Sequence, residues 1–209
     1  KARLVKHNSR LSQGSLLDIG TGTGYFPHFM QERGWHVSAI EKSPQARQFA
    51  KEHFELDVAA PEALNEFADK SFDVITLWHV MEHLEHLNET WETLKRILKD
   101  QGILIIAVPN PTSFDAEKYK EMWGAYDVPR HLWHFSPSVM QQFGAKHDFI
   151  LCERHPMPFD AFYVSMLSEK YRKSAFPFIK GLITGAEAWI VSLAKKDRSS
   201  SMIYVFRKK

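Results

Sequence analysis

The feature that most constrains this chain is a strand, a glycine-rich turn and a helix start packed into residues 16–27. Residues 16–19 read Leu-Leu-Asp-Ile, and glycines follow at every second position, at Gly20, Gly22 and Gly24. Such a pattern is typical of a buried strand that leads through a tight turn into a helix. Glycine permits backbone angles that a Cβ would forbid, and a helix N-terminus offers unpaired N–H groups. We therefore expect an α/β fold with a ligand-binding loop here.

The spacing of the glycines discriminates between nucleotide-binding loops. A dinucleotide fingerprint, G-x-G-x-x-G, would need a glycine where Tyr25 stands, which disfavours an NAD-dependent oxidoreductase. A P-loop would need Lys and Ser or Thr after its last glycine, and no Lys follows Gly24. The observed pattern is D-x-G-x-G-x-G, beginning at Asp18. A glycine turn without a ligand is the alternative, but the joint occurrence of Asp18 and three glycines favours a binding loop.

Strand-like and helix-like segments alternate along the rest of the chain. Strands are predicted over residues 16–19, 37–40, 56–59, 72–78 and 103–108, and helices over 25–33, 43–54 and 84–98. This alternation predicts a mostly parallel sheet with helices on both faces. Further strands are expected at 149–153 and 202–206, and helices at 161–171 and 176–194.

Polar residues follow the strands whose carboxyl ends should meet. Glu41 ends the second predicted strand, 21 positions after Gly20, and Lys42 is next. A carboxylate at this place can accept two hydrogen bonds from a ribose diol. Trp78 and His79 end the fourth strand. Since ligands of such sheets bind outside the carboxyl ends of the strands, we expect one cleft at this edge. The alternative for Glu41 is a surface carboxylate before a turn.

These motifs together resemble those of class I methyltransferases that use S-adenosylmethionine (SAM). FDVITLWHVMEHL and LKRILKDQGILIIAVPN are similar to stretches of ubiquinone-biosynthesis-type O-methyltransferases, and DVPRHLWHFS resembles a more restricted bacterial set. The resemblance implies a Rossmann-like three-layer sandwich, with a mostly parallel seven-stranded sheet and an antiparallel last strand. It implies one domain over residues 1–209, with a helical insertion over 156–201 before the last strand.

The resemblance also implies SAM as cofactor and S-adenosylhomocysteine as product. The chemistry is an in-line displacement on an activated methyl group, so the protein has to position the acceptor and remove a proton. The cofactor-binding residues carried over by the motifs are Asp18, Gly20, Thr21, Gly22, Gly24, Tyr25, Glu41, Lys42, Trp78 and His79.

The acceptor should lie against segments that follow the fourth and fifth strands. The candidates for the general base there are His131, His79 and His83, because histidine titrates near neutral pH. The candidates for acceptor binding are Arg130, His134, Trp123 and Tyr126. Alternatively, the aromatic residues pack the sheet edge, Arg130 pairs with Asp127, and the histidines are structural. The expected reaction is methylation of a small molecule, at oxygen; a SAM-binding sensor or partner subunit without catalysis is the alternative.

Composition narrows the choice of substrate, cofactor and cellular location further. A net charge of +2 and the absence of an N/D-P-P-Y/F motif after the fourth strand argue against a nucleic-acid substrate. Cys152 is the only cysteine, and no Cys/His spacing suggests a metal site, so we expect no metal and a cytoplasmic protein. The apolar helix near 176–194 is open to several interpretations: a cap, a homodimer interface, a membrane-facing surface beside a lipid-like acceptor, or packing on its own domain.

Overall fold

The computed structural model describes all residues, 1–209. Seven strands form one sheet: β1 (Ser15–Ile19), β2 (His36–Ile40), β3 (Val58–Ala59), β4 (Phe72–Trp78), β5 (Leu98–Pro109), β6 (Phe149–Met157) and β7 (Ser201–Lys208). Eight α-helices surround it: α1 (Ala2–Ser9), α2 (Tyr25–Gln31), α3 (Pro44–Phe54), α4 (Leu87–Ile97), α5 (Phe114–Tyr119), α6 (Pro137–Lys146), α7 (Asp160–Tyr171) and α8 (Pro177–Ala194).

The strand order is β3-β2-β1-β4-β5-β7-β6. All pairs from β3 to β5 are parallel, and β7 runs antiparallel to both β5 and β6. The predicted seven-stranded sheet with an antiparallel last strand is therefore confirmed. The chain builds outward from β1 on one side and from β4 on the other, which places the topological switch point between these two strands.

The core lies on both faces of the sheet. Leu17 on one face and Leu16 on the other are fully buried, and so are Ile75 and Val74 at the neighbouring positions of β4. Helix α4 covers the first face with the buried Trp91. Burial on both faces explains the near-continuous apolar runs of these strands, which an antiparallel sheet with one wet face would not show.

Several predicted boundaries were wrong. Strand β5 begins at Leu98 instead of 103, because Leu98 is fully buried and pairs with Phe72 of β4. The helix before it therefore covers Leu87–Ile97 instead of the predicted 84–98. The third strand is shorter than predicted. Strand β6 extends to Met157, which pairs with Ser201, so the helical segment between the last two strands occupies 158–200 instead of 156–201.

Helices α7 and α8 form this segment and pack closely on each other. A Cβ on Gly181 would lie 2.6 Å from Met166 Cα, and one on Gly185 would lie 2.7 Å from Phe162 Cα. Glycine at these positions allows the two helix backbones to approach. The other face of α8 is exposed and apolar, with Phe178, Ile179, Ile183, Ile190 and Leu193 each more than half exposed. None of the helices is long and apolar enough to cross a membrane.

Candidate functional site

The glycine loop joins β1 to α2 in a left-handed conformation at each glycine. The φ angles are 70° at Gly20, 59° at Gly22 and 88° at Gly24. A Cβ on Gly20 would lie 2.2 Å from Val80 Cγ2, whereas a Cβ on Gly22 would meet no heavy atom within 4 Å. Gly20 is therefore required for packing, and Gly22 faces open space in which a ligand can lie against the main chain.

The carboxylate of Glu41 ties the glycine loop to the end of β2. Its Oε2 accepts a hydrogen bond from the N–H of Gly22, and its Oε1 accepts one from the N–H of Ser43, both at 2.8 Å. The Ser43 hydroxyl in turn caps α3 by accepting from the N–H of Ala46. A carboxylate has about four acceptor positions, so Glu41 keeps the capacity to bind a ligand diol while it braces the loop.

A cleft of about 950 Å³ opens at this edge of the sheet. Its volume is at the upper end of the range for small-molecule and cofactor sites. The lining brings together residues from the ends of the first, second and fourth strands with the segment near residue 130. The polar and charged members of the lining include Glu41, Lys42, Arg47, Glu62, His79, His83, Glu85, His86 and Arg130. The predicted convergence of Gly20, Glu41, Lys42 and His79 is thus present in the structure.

Asp18 lies under the loop and is 1% exposed. Its Oδ1 accepts a hydrogen bond of 2.5 Å from the Thr76 hydroxyl. Burial raises the pKa of Asp18 to about 6, although the Thr76 bond and the charge of Lys1 lower it. The Lys1 ammonium lies 4.8 Å from the ring centroid of Trp78, whose buried Nε1 has no hydrogen-bond partner. A buried carboxylate suits a positively charged ligand group at this end, and an unpaired indole N–H suits a hydrogen-bond acceptor.

Tyr25 was expected to contact the cofactor, but the structure places its side chain outside the cleft. The side chain is 65% exposed, and the ring packs edge-on against Phe54 of α3 at 4.9 Å between centroids. With Thr21 and Phe26, it borders a separate shallow depression on the surface. Tyr25 is the first residue of α2, so its main chain is part of the helix N-terminus even though its ring points away.

His79 occupies a strained position at the end of β4. Its φ angle is 58°, which is uncommon for a residue with a Cβ. Its Nδ1 lies 3.3 Å from Glu82 Oε1, and its Nε2 lies 3.2 Å from Asp160 Oδ2. Burial lowers the pKa of His79, but the hydrogen bonds and charges of the two carboxylates outweigh this and raise it to about 9. His79 is therefore an imidazolium at neutral pH, which argues against its predicted role as a general base.

His83 and His131 converge on the buried carboxylate of Glu82. Nδ1 of His83 lies 2.9 Å from the carbonyl oxygen of Arg130, and Nδ1 of His131 lies 2.8 Å from that of Ala125. Burial lowers the pKa of His131, so its imidazole is neutral. One potential ligand atom from each of Glu82, His83 and His131 lies within 4.8 Å of the others. Two predicted catalytic residues are thus neighbours in space.

Of the other residues predicted to bind the acceptor, only Arg130 lies in the cleft. Arg130 lines the cleft and pairs with Asp127 Oδ1 at 2.8 Å. Nε2 of His134 lies 3.2 Å from the carbonyl oxygen of Tyr126. Trp123 is buried, and its Nε1 donates to Asp115 Oδ2 at 2.7 Å. His134, Tyr126 and Trp123 are absent from the lining of the cleft and pack on one another beside it, with Tyr126 between the other two.

Two residues of this site were missed in the sequence. Glu82 could have been found, because it directly precedes His83 in the turn after a strand end. Asp160 carried no signal, since it lies 81 residues after His79 and only the packing of α7 brings it to the strand tip. Its position as the first residue of α7 joins the helical segment to the site.

Comparison with known proteins decides the family. The sequence model of a methyltransferase domain matches residues 2–152. The chain belongs to this methyltransferase family. An uncharacterized methyltransferase of Staphylococcus carnosus is 33% identical over 122 residues, which cover 57% of this chain and 58% of that protein. Ubiquinone biosynthesis O-methyltransferase of Pelagibacter ubique is 34% identical over 104 residues, which cover 46% of this chain and 42% of that protein.

The fold of this chain recurs among solved structures. A SAM-dependent methyltransferase from Archaeoglobus fulgidus superposes with a TM-score of 0.63 at 19% identity, covering 99% of this chain and 92% of that chain. At this identity the likeness shows the fold alone. The chain spans about half the length of the curated relatives it matches. The expected family and the expected Rossmann-like fold are both confirmed.

Proposed function

We propose that this methyltransferase binds SAM in the cleft beside Glu41 and transfers its methyl group to an oxygen of a small-molecule acceptor. The observation that carries the proposal is the Glu41 carboxylate, which fixes the glycine loop through Gly22 and lines the cleft. The family membership and the likeness to a SAM-dependent enzyme of the same fold support the choice of cofactor.

The residues of the cleft fit the three parts of SAM. Glu41 has spare acceptor positions for the ribose hydroxyls. Ile40 and residues 60–62 offer apolar surface and main-chain groups to the adenine. The loop at Gly22 and the buried carboxylate of Asp18 suit the charged methionine end. When bound, SAM supplies a methyl group that is already activated for displacement.

The acceptor would lie on the opposite side of the cleft, against His83 and the segment near Arg130. The Nδ1 contacts of His83 and His131 with main-chain carbonyls leave Nε2 of each ring to meet an acceptor oxygen or its proton, although Nε2 of His131 also lies 3.8 Å from Asp127 Oδ2. The ion pair between His79 and Asp160 brings α7 to the strand tip, which helps to exclude water from the site. We assign handling of the acceptor to this histidine side of the cleft.

Oxygen is proposed as the methylated atom because the Pelagibacter relative is an O-methyltransferase in ubiquinone biosynthesis. A small-molecule acceptor agrees with a cleft that is about large enough for a cofactor and one further small ligand. Binding of an extended nucleic acid would call for a basic surface, and the net charge of +2 gives no support for one.

The proposal is tested in two stages. Calorimetric titration with SAM, S-adenosylhomocysteine and NADH should show binding of the first two and none of NADH. Incubation with SAM and a metabolite extract should then yield methylated products detectable by mass spectrometry. Binding of SAM without any turnover would favour a sensor or partner subunit. Tight NADH binding without SAM binding would contradict the proposal altogether.

A further inference from the structure

We propose that Glu82, His83 and His131 form a binding site for a divalent transition-metal ion such as Zn²⁺ in the wall of the cleft. One potential ligand atom from each residue lies within 4.8 Å of the other two. The residues come from two segments, the turn after β4 and the segment before α6, so the site closes across the fold. Two imidazoles and one carboxylate, with a fourth position left open, are a ligand set that zinc uses in catalytic sites.

The hydrogen bonds of the two imidazoles are those of metal-binding histidines. In such sites the ring nitrogen that does not bind the metal is held by a carboxylate or a main-chain carbonyl, which fixes the ring orientation. Here Nδ1 of His83 lies 2.9 Å from the Arg130 carbonyl oxygen, and Nδ1 of His131 lies 2.8 Å from the Ala125 carbonyl oxygen. Each ring is thus oriented through Nδ1, which leaves Nε2 for the ion; Nε2 of His131 also lies 3.8 Å from Asp127 Oδ2.

The Glu82 carboxylate supplies a second and independent observation. The residue is 1% exposed, and apart from the ion pair of Oε1 with His79 its carboxylate oxygens have no hydrogen-bond partner. The nearest cationic group is the imidazolium of His79, 3.3 Å from Oε1. This ion pair leaves Oε2 buried without a partner, which is costly unless that oxygen is also hydrogen-bonded or coordinates a metal. A divalent ion between Glu82 and the two imidazoles would satisfy it.

The ligand chemistry selects a transition metal. Imidazole suits zinc and its neighbours, whereas calcium and magnesium prefer oxygen ligands alone. Ligand atoms around a tetrahedral zinc ion lie roughly 3.4 Å apart when each bond is about 2.1 Å. The observed spread of up to 4.8 Å requires the ligand atoms to close by up to about 1.4 Å. His83 is exposed, so its side chain has room to supply that movement.

The place of the site gives it a consequence for the reaction. His83 lines the cleft, so the open coordination position would face the space assigned to the acceptor. An acceptor oxygen bound there would be polarised and oriented by the ion. This consequence rests on the proposed function, whereas metal binding itself does not.

The experiment measures binding of Zn²⁺ alone. Protein stripped with EDTA and dialysed is titrated with ZnCl₂ in a calorimeter, together with the variants Glu82→Gln, His83→Gln and His131→Gln. His155→Gln is the matched control, because His155 lies 2.7 Å from a carboxylate oxygen of Glu153 outside this cluster. We expect one ion per chain for wild type and for the control, and an affinity at least 10-fold lower for each ligand variant.

Absence of stoichiometric binding to wild type, or equal affinity in all variants, would overturn the proposal. If Glu82→Gln fails to fold, as circular dichroism would show, the exposed His83 still tests the site because its replacement leaves the core intact. S-adenosylhomocysteine binding is measured on the same samples. Its loss with intact zinc binding would contradict the proposed function, and the converse would contradict only the metal site.

Discussion

The two sides of the cleft are built in different ways. The donor side consists of the glycine loop and Glu41, which lie within residues 18–43 and are fixed by main-chain hydrogen bonds. The acceptor side combines His79, Glu82 and His83 with side chains that lie about 50 and 80 residues further along the chain, at His131 and Asp160. Its contacts are mostly between charged side chains or between a ring and a carbonyl.

This difference determines which part of the site can vary. Main-chain hydrogen bonds place the loop wherever the strand, turn and helix form, so the donor side depends on local sequence. The acceptor side depends on how the segments before α6 and α7 pack over the sheet. Replacements of single acceptor side chains should therefore change the reaction without changing the affinity for SAM, and donor replacements should do the reverse.

The largest expected effect is on the acceptor side, at His131. We expect His131→Ala to lower turnover roughly 100-fold or more, because its imidazole is held by the Ala125 carbonyl, which leaves Nε2 for acceptor chemistry. The affinity for SAM should stay within about twofold of wild type. Production of S-adenosylhomocysteine and calorimetry measure the two quantities, and His155→Gln serves as control. Turnover equal to that of wild type would remove His131 from the mechanism.

Asp18 tests the donor side through the pH dependence of stability. Burial raises its pKa in the folded protein to about 6 from an ordinary value of 3.8. The folded state therefore holds the proton more tightly than the unfolded chain. Stability should fall by up to about 3 kcal/mol as the pH rises from about 4 to 6, and then level off.

The control for this effect is Asp18→Asn, which has no proton to release. Urea unfolding at a series of pH values gives the free energy of unfolding of both proteins. The difference between wild type and variant should change across the interval from pH 4 to pH 6. Two curves that stay parallel over that interval would show that Asp18 does not titrate as its burial implies.

Glu41→Ala should have the next largest effect. We expect the affinity for SAM to fall by roughly 1–3 kcal/mol, the range for hydrogen bonds to a charged group. Some stability should be lost as well, because the N–H groups of Gly22 and Ser43 lose their acceptor. Glu41→Gln keeps an acceptor oxygen, so its affinity for SAM should lie between those of wild type and Glu41→Ala. Affinity equal to wild type in Glu41→Ala would contradict the ribose assignment.

The sequence predicted the donor side of the cleft better than the acceptor side. The donor residues Asp18, Gly20 and Glu41 were predicted from their spacing within one strand–turn–helix–strand unit, and the structure places Gly20 and Glu41 in the lining of the cleft. On the acceptor side, the sequence pointed to His83 and His131 singly but gave no sign that they meet at Glu82. It also could not show that Asp160 would hold His79 as an imidazolium. Such properties depend on tertiary packing, which no local pattern encodes.

The smallest effect on stability is expected at Arg130. Replacing this residue tests whether it binds the acceptor or only supports the fold of its own segment. Its ion pair with Asp127 is 74% exposed on the arginine side, so solvent and salt screen it. We expect Arg130→Gln to leave the melting temperature within about 2 °C of wild type. If the guanidinium instead binds an anionic group of the acceptor, KM for the acceptor should rise severalfold while the affinity for SAM stays the same.

A matched Asp127→Asn variant removes the ion pair but keeps the guanidinium. KM that rises in Arg130→Gln and not in Asp127→Asn would assign Arg130 to the acceptor, and KM that rises equally in both would assign it to support of the segment.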